Sequence, residues 1–441
     1  MSDPGFRREL GLFDATVVVA GAIIGVGIFA NPSNVARILT TPALIVLAWG
    51  IGGLLALIGG FIWAELGSRF PYVGGQYVYL TRAYPPIVGF LYGIALLFII
   101  NGGSLAAVAI LFATYVDRSF VPLGPAGIRA LAATVLIAFT AVNAVGVRAG
   151  TITSNVLMVV KVAGIATLLW LAFTRGGPSA SDVRLADLGT FHGSTLTLCL
   201  TALVPIMFAY GGWQNCGTLA AEIREPAKNL ARANVIGVII VIVLYLSLNL
   251  AYLRVLTPGG IASSPALASD VAYVAAGPIG SVFVAMLIVI SSLGFLAVVI
   301  LTGPRLYYAM ARDGVFFPQA GRLHPRYHTP VFALWFQVTV SLLLLTSNTY
   351  DQLLSYVIFA DWLFFGLTAA AIFVARARQL GEPTVRVPGH PFTTGLFVLA
   401  AVGIVGNSFF AYPKQSLIGT GILLAASATY ALLPKPRPEP S

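Results

Sequence analysis

Gly21-Ala22-Ile23-Ile24-Gly25-Val26-Gly27-Ile28-Phe29-Ala30-Asn31-Pro32 stands inside an apolar run covering about residues 14–39. The run is long enough to cross about 30 Å of hydrocarbon as a helix. Three glycines within seven positions weaken that helix, and Pro32 removes a further donor. A second run, 194–221, carries the same flaw: Pro205-Ile206-Met207-Phe208-Ala209-Tyr210-Gly211-Gly212-Trp213-Gln214-Asn215 sets two glycines near its centre. Inside lipid every backbone polar group needs a partner, so a non-helical stretch at mid-depth is tolerated only where it lines a cavity or lies buried in protein. Glycines also serve as close-packing surfaces between membrane helices, and one cluster alone carries no more than that.

The positions of the two clusters carry more than their glycines. Working outward, the apolar runs predict about twelve spans, near 14–39, 42–69, 85–116, 129–147, 152–174, 194–221, 233–256, 277–304, 331–347, 351–375, 391–411 and 415–433. The breaks fall in spans one and six, the corresponding members of two five-span halves. Paired interruptions of this kind point to a secondary transporter built from inverted repeats, the LeuT type of fold. The expected organisation is an N-terminus at 1–13, a first repeat at 14–175, a second at 194–375, two trailing helices at 391–433 and a tail at 434–441. Unwinding a helix frees amides at the N-terminus of one half and carbonyls at the C-terminus of the other. The amides and the positive dipole end attract a carboxylate, while the carbonyls accept from an ammonium. A zwitterion therefore suits such a break without any charged side chain.

Composition sets the class. Of 441 residues, 9% are charged and 58% apolar, with mean hydropathy +0.91. A soluble protein carries about 25% charged residues. Twelve spans leave only short connections, which excludes most enzymes with a globular catalytic unit. The net charge of +10 reflects topology: one alternate set of loops holds 17 of the 25 Lys and Arg and the other holds 7. By the positive-inside rule the richer side, with both termini, is cytoplasmic, which places the chain in a cell (inner) membrane. Anionic lipid accounts for the basic balance, and nucleic acid is not an expected partner. No cleaved signal peptide is predicted, because the first span is too long and interrupted. Cys199 and Cys216 both fall in the sixth span, where neither a disulfide framework nor a zinc site is expected. The tail Pro434-Lys435-Pro436-Arg437-Pro438-Glu439-Pro440 reads as a short solvated end.

Several blocks carry a resemblance. Gly21-Ala22-Ile23-Ile24-Gly25-Val26-Gly27-Ile28-Phe29 resembles the first-helix G-S-I-I-G-S-G-I-F of the amino acid–polyamine–organocation (APC) superfamily, in particular its L-type amino acid transporter (LAT) group and bacterial relatives. Glu65-Leu66-Gly67 with Gly74-Gly75-Gln76-Tyr77-Val78-Tyr79 is similar to the stretch after span two. Phe208-Ala209-Tyr210-Gly211-Gly212-Trp213 with Glu222 and Pro226 is similar to the sixth helix, and Arg305-Leu306-Tyr307-Tyr308 through Arg312-Asp313-Gly314 to the end of span eight. The resemblance implies that a substrate carboxylate meets the amides of Gly25, Val26 and Gly27. It implies that the amino group meets carbonyls of Ile23, Phe208, Ala209 and Gly211, with Phe208 and Tyr210 shaping or gating the pocket. Where the family often has Ser, this chain has Ala22 and Val26, so binding rests on backbone groups.

Lys161 sits about ten residues from either end of span five. A lysine at the bilayer centre costs about 3 kcal/mol or more, so it should face the interior and find partners. The resemblance implies that its ammonium stands where related sodium-coupled transporters hold a structural sodium ion. It would tie span five to the first break and to Ser291 or Ser292, without sodium. Asp361 lies about ten residues into span ten, where an isolated carboxylate is costly unless protonated, paired or wet. It is open to a structural role, to selection of cationic or polar side chains, or to proton carriage. Glu65 and Asp14 lie near span ends and suit solvated or gate-pairing roles. His192, His324, His328 and His390 all lie in loops. Pro325 breaks the helix that an i,i+4 metal pair would need, so no metal and no cofactor is expected. Neither a phosphate-binding G-x-x-x-x-G-K-[ST] nor a nucleophile with a base at membrane depth is present.

The reading is an all-α integral membrane transporter of L-amino acids that works by alternating access. The predicted mode is sodium-independent exchange of neutral amino acids, without an enzymatic activity and without a disulfide-linked ancillary subunit. Proton-coupled symport is the close rival. A cationic amino acid or polyamine carrier, or a membrane amino acid sensor, is the more distant one.

Overall fold

The computed structural model describes residues 6–175, 193–264, 266–347, 350–411 and 413–432; His192 and the 434–440 tail lie outside them. Every regular element among the described residues is helical, apart from one isolated parallel bridge between Leu10 and Ile223. The first apolar run is two helices, α1 (Leu12–Ile23) and α2 (Gly27–Ile38), bent by 41°. α3 (Pro42–Arg69) follows, then the short α4 (Gln76–Ala83). α5 (Pro86–Ala95) passes through a π turn at Leu96–Asn101 into α6 (Gly102–Ser119). α7 (Gly124–Ala144) and α8 (Val147–Arg175) complete the first part of the chain. α9 (Gly193–Tyr210) stops at Gly211-Gly212 and resumes as a 3-10 helix, Trp213–Glu222. α10 (Pro226–Val255), the short α11 (Pro258–Ser263), α12 (Leu267–Arg312), α13 (Val331–Ser347), α14 (Tyr350–Ala377), α15 (Phe392–Ala411) and α16 (Pro413–Leu432) make up the rest.

The boundaries have local causes. Proline opens α3, α5, α10 and α11, where its missing N–H would be unpartnered in any case. Asp117 accepts from the amides of Leu123 (2.7 Å) and Gly124 (2.9 Å), which closes the turn between α6 and α7. α12 kinks at Gly277, whose φ of 66° glycine adopts freely, immediately before Pro278. The expected span at 277–304 starts at that kink, but the helix runs on to Arg312 because its apolar face stays buried past the hydrophobic run.

Nine helices among the described residues are long and apolar enough to cross a membrane, or ten with α1–α2 taken as one bent span. Val331–Thr346 within α13 is apolar but shorter. Exposed apolar side chains such as Leu54, Val159, Leu343, Leu399 and Leu424 face outward, a surface that lipid covers and water does not. The protein is a multi-pass helical membrane protein. Burial is graded from centre to rim: the apolar window of α12 is 78% buried and that of α16 only 17%. α12 packs against α1, α6 and α8, and α10 packs against α1 and α3. The two broken helices therefore sit at the centre, held from several sides.

Candidate functional site

At the first break α1 ends in a tight turn: Gly25 N donates to Ile23 O at 2.7 Å, and the helix resumes with Phe29 N donating to Val26 O at 3.1 Å. Among the backbone bonds of this turn, Val26 and Gly27 donate none, so their amides stand free at the N-terminus of α2. The second break is built differently. Gly211 N donates to Phe208 O at 3.3 Å, and both the amide and the side-chain Nδ2 of Asn215 donate to Gly212 O, at 3.2 and 2.9 Å. Gly212 has φ 136°, and a Cβ there would stand 2.7 Å from the carbonyl carbon and oxygen of Ala22. A Cβ on Gly27 would stand 3.0 Å from Ala209 Cα. The two breaks touch backbone to backbone, and glycine makes that approach feasible.

Side chains from three other helices hold the exposed carbonyls. Lys161, from α8 and fully buried, donates from Nζ to Ile24 O. Ser291, from α12, donates to Gly25 O at 3.2 Å and lies 3.5 Å from Ile24 O. Tyr245, from α10, places its hydroxyl 2.9 Å from Ile23 O and 3.1 Å from Ala209 O, which joins the C-terminal ends of α1 and α9. A small cavity of about 80 Å³ opens between the breaks and α6 and α14.

Ile23, Gly25, Val26, Gly27, Phe208, Ala209, Gly211 and Asp361 all line that cavity. Tyr210 does not line it. Its hydroxyl donates to Trp49 O at 3.3 Å, and its ring packs at 5.0 Å on Tyr245 and 5.8 Å on Trp49. The reason is helical phase: Tyr210 ends α9 on the face that meets α3 and α10, about 200° round from Phe208. Of the two serines, Ser291 reaches the break, whereas Ser292 donates to Ile288 O in its own helix at 2.8 Å.

Glu65 is fully buried and bonded rather than solvated, with Arg69 at 2.8 Å, Arg376 at 2.6 Å and the Val387 amide at 2.7 Å. Asp14 accepts from the Gly11 amide and from Asn155 Nδ2 at 2.7 Å. His324 Nδ1 accepts from the amides of Arg326 and Tyr327 and shapes its own loop.

Sequence reasoning missed four groups. Tyr245 carries no signal, because a tyrosine in an apolar helix is ordinary. Asn101 sits in the π turn and lines the cavity, with Nδ2 3.4 Å from Gln337 Oε1. A Cβ on Gly303 would come within 2.0 Å of that Gln337 oxygen, so glycine makes room for the pair. Arg305 and Glu222 were noted only as motif letters; they form a buried ion pair at 2.8 Å. Beside it Leu10 N donates to Glu222 O and Arg224 N to Leu10 O, which fastens the N-terminal segment over this end of the second break.

The sequence profile of the amino acid permease family matches residues 10–433, both breaks and every helix that holds them. The chain belongs to this family. It is a LAT-like member of the APC superfamily. Among curated relatives it is 28% identical over 418 residues to the serine/threonine exchanger SteT of Bacillus subtilis, covering 92% of each chain. It is 30% identical over 390 residues to the b(0,+)-type amino acid transporter 1 of Mus musculus, covering 87% of this chain and 79% of the relative. It is 29% identical over 432 residues to the large neutral amino acids transporter small subunit 2 of Oryctolagus cuniculus, covering 97% and 80%. These relatives are amino acid transporters, and each match runs over most of both chains.

Proposed function

We propose that this permease exchanges neutral L-amino acids across the cell membrane by alternating access, without sodium. The observation that carries the reading is the junction of the two breaks. Val26 and Gly27, whose amides are free, line one small cavity together with Ile23, Phe208, Ala209 and Gly211, and in this reading the amides meet a carboxylate and the remaining carbonyl lone pairs an ammonium. The ammonium of Lys161 already donates to the Ile24 carbonyl, where a sodium-coupled design would need a cation. The relative SteT is a serine/threonine exchanger, which fits the same mode.

In this reading the chain has twelve spans, with a first inverted repeat at 14–175, a second at 194–375 and trailing helices at 391–433, of the LeuT type. Both termini are cytoplasmic, following the excess of Lys and Arg on that side. In the same reading the chain works without a disulfide-linked subunit, because Cys199 and Cys216 both fall in the sixth span. Proton-coupled symport keeps one observation in its favour, the carboxylate of Asp361 in the cavity wall.

Reconstitution into liposomes separates the modes. Uptake of labelled alanine, leucine or serine without sodium is expected only into vesicles preloaded with amino acid. Equal uptake into empty vesicles, driven by an inward proton gradient, would replace exchange by symport.

A further inference from the structure

We propose that the cavity also takes amino acids with a short side chain ending in an ammonium group, and that Asp361 is the residue that recognises it. The proposal rests on the amino acid site described above and names a substrate class for it.

Two observations converge. Asp361 lines the cavity from α14, opposite the two breaks, and accepts no hydrogen bond and joins no ion pair among the described residues. Second, the described residues lining the cavity include no Lys, Arg or His, so the protein supplies no counter-charge there. Tyr92 is a titratable group within electrostatic reach of Asp361, and as a phenol it brings no positive charge. The wall thus offers an unpartnered carboxylate and no cation.

A carboxylate in such a place is costly unless it is protonated, hydrated or paired, and a cationic ligand supplies the pairing. A hydroxyl side chain can donate to Asp361 but leaves the negative charge in place. A side-chain ammonium neutralises it and donates to it. The backbone of the breaks meets the α-carboxylate and α-ammonium, so the side-chain charge is met by Asp361 alone. The cavity is small, about 80 Å³ in all, so the proposal is confined to ammonium side chains shorter than those of lysine and arginine.

L-2,4-Diaminobutyrate and L-norvaline are isosteric and differ in the terminal ammonium or methyl. Binding of each to the purified full-length protein is measured by tryptophan fluorescence or thermal shift, and exchange by competition in proteoliposomes. The expected result is that diaminobutyrate binds at least about tenfold tighter than norvaline, the size of a charge-assisted hydrogen bond. Asp361→Asn should reduce that ratio to about one, while Asp361→Glu, which keeps the charge, retains a preference. Size-exclusion profiles check that both variants are folded, and the wild-type ratio stands as a test without either. Norvaline binding with diaminobutyrate absent or no tighter would overturn the proposal and leave the amino acid site intact. An unchanged ratio in Asp361→Asn would overturn the assignment to Asp361. Failure of both compounds, and of the neutral amino acids, would overturn the site itself and this proposal with it.

Discussion

The two breaks solve the same problem in opposite ways. The first is anchored from outside: Lys161, Ser291 and Tyr245, on three different helices, hold the carbonyls of Ile23, Ile24 and Gly25. The second closes partly on its own residues, Gly211 to Phe208 and Asn215 to Gly212, and is linked to α10 by Tyr245 and to α12 by Thr302, whose hydroxyl donates to Asn215 Oδ1 at 3.0 Å. Its position comes from contact with the first break, where Gly212 lies against Ala22 and Ile23. The first break is thus held at three consecutive carbonyls from three other helices, whereas the second also closes on itself.

The largest test of this contrast is Gly212→Ala. The residue would need an unfavourable φ and would drive a Cβ into the backbone of α1, costing about 3 kcal/mol. Expression of monodisperse protein and exchange should both collapse. Gly406→Ala in α15, where a Cβ meets nothing within 4 Å, should leave both intact and raise thermal stability slightly. A Gly212→Ala protein that exchanges normally would show that the two breaks do not need to touch.

Next in size is Lys161→Met, which keeps the volume and removes the donor to Ile24 O. A loss of about 2 kcal/mol in stability is expected, as for a buried hydrogen bond from a charged group. Exchange should fall more steeply than stability, because the first turn loses its anchor. Tyr245→Phe follows, at about 1 kcal/mol, and it should impair exchange through both breaks at once. The smallest pair sharpens the assignment within α12. Ser291→Ala should cost about 1 kcal/mol and combine non-additively with Lys161→Met, whereas Ser292→Ala should cost about 0.5 kcal/mol or less and add independently. Thermal unfolding of the four proteins and their double variants decides between these outcomes.

The breaks were legible in the sequence because glycine and proline are costly in a helix and lipid forbids an unpartnered backbone. Lys161 was legible because a charge in hydrocarbon must have a destination. The site's other parts gave weaker signals. Helical phase leaves Ser291 and Ser292 about 100° apart, and an apolar run cannot say which one faces the break. Tyr210 sits between two cavity-lining neighbours in sequence but points to Trp49, and only packing against α3 and α10 decides that. The π turn at Leu96–Asn101 has no compositional mark; a lone Asn101 in an apolar run was its only trace. The Glu222–Arg305 pair spans 83 positions, and nothing local in either segment announces the other.

The central claim is that substrate binds at the junction of the breaks. Its most direct test is a structure in lipid nanodiscs with the best substrate of the exchange assay at saturating concentration. The account predicts density for an amino acid with its carboxylate at the amides of Val26 and Gly27 and its ammonium at the carbonyls of Ile23 and Ala209. Density elsewhere, or an empty junction in a protein that exchanges that substrate, would contradict it.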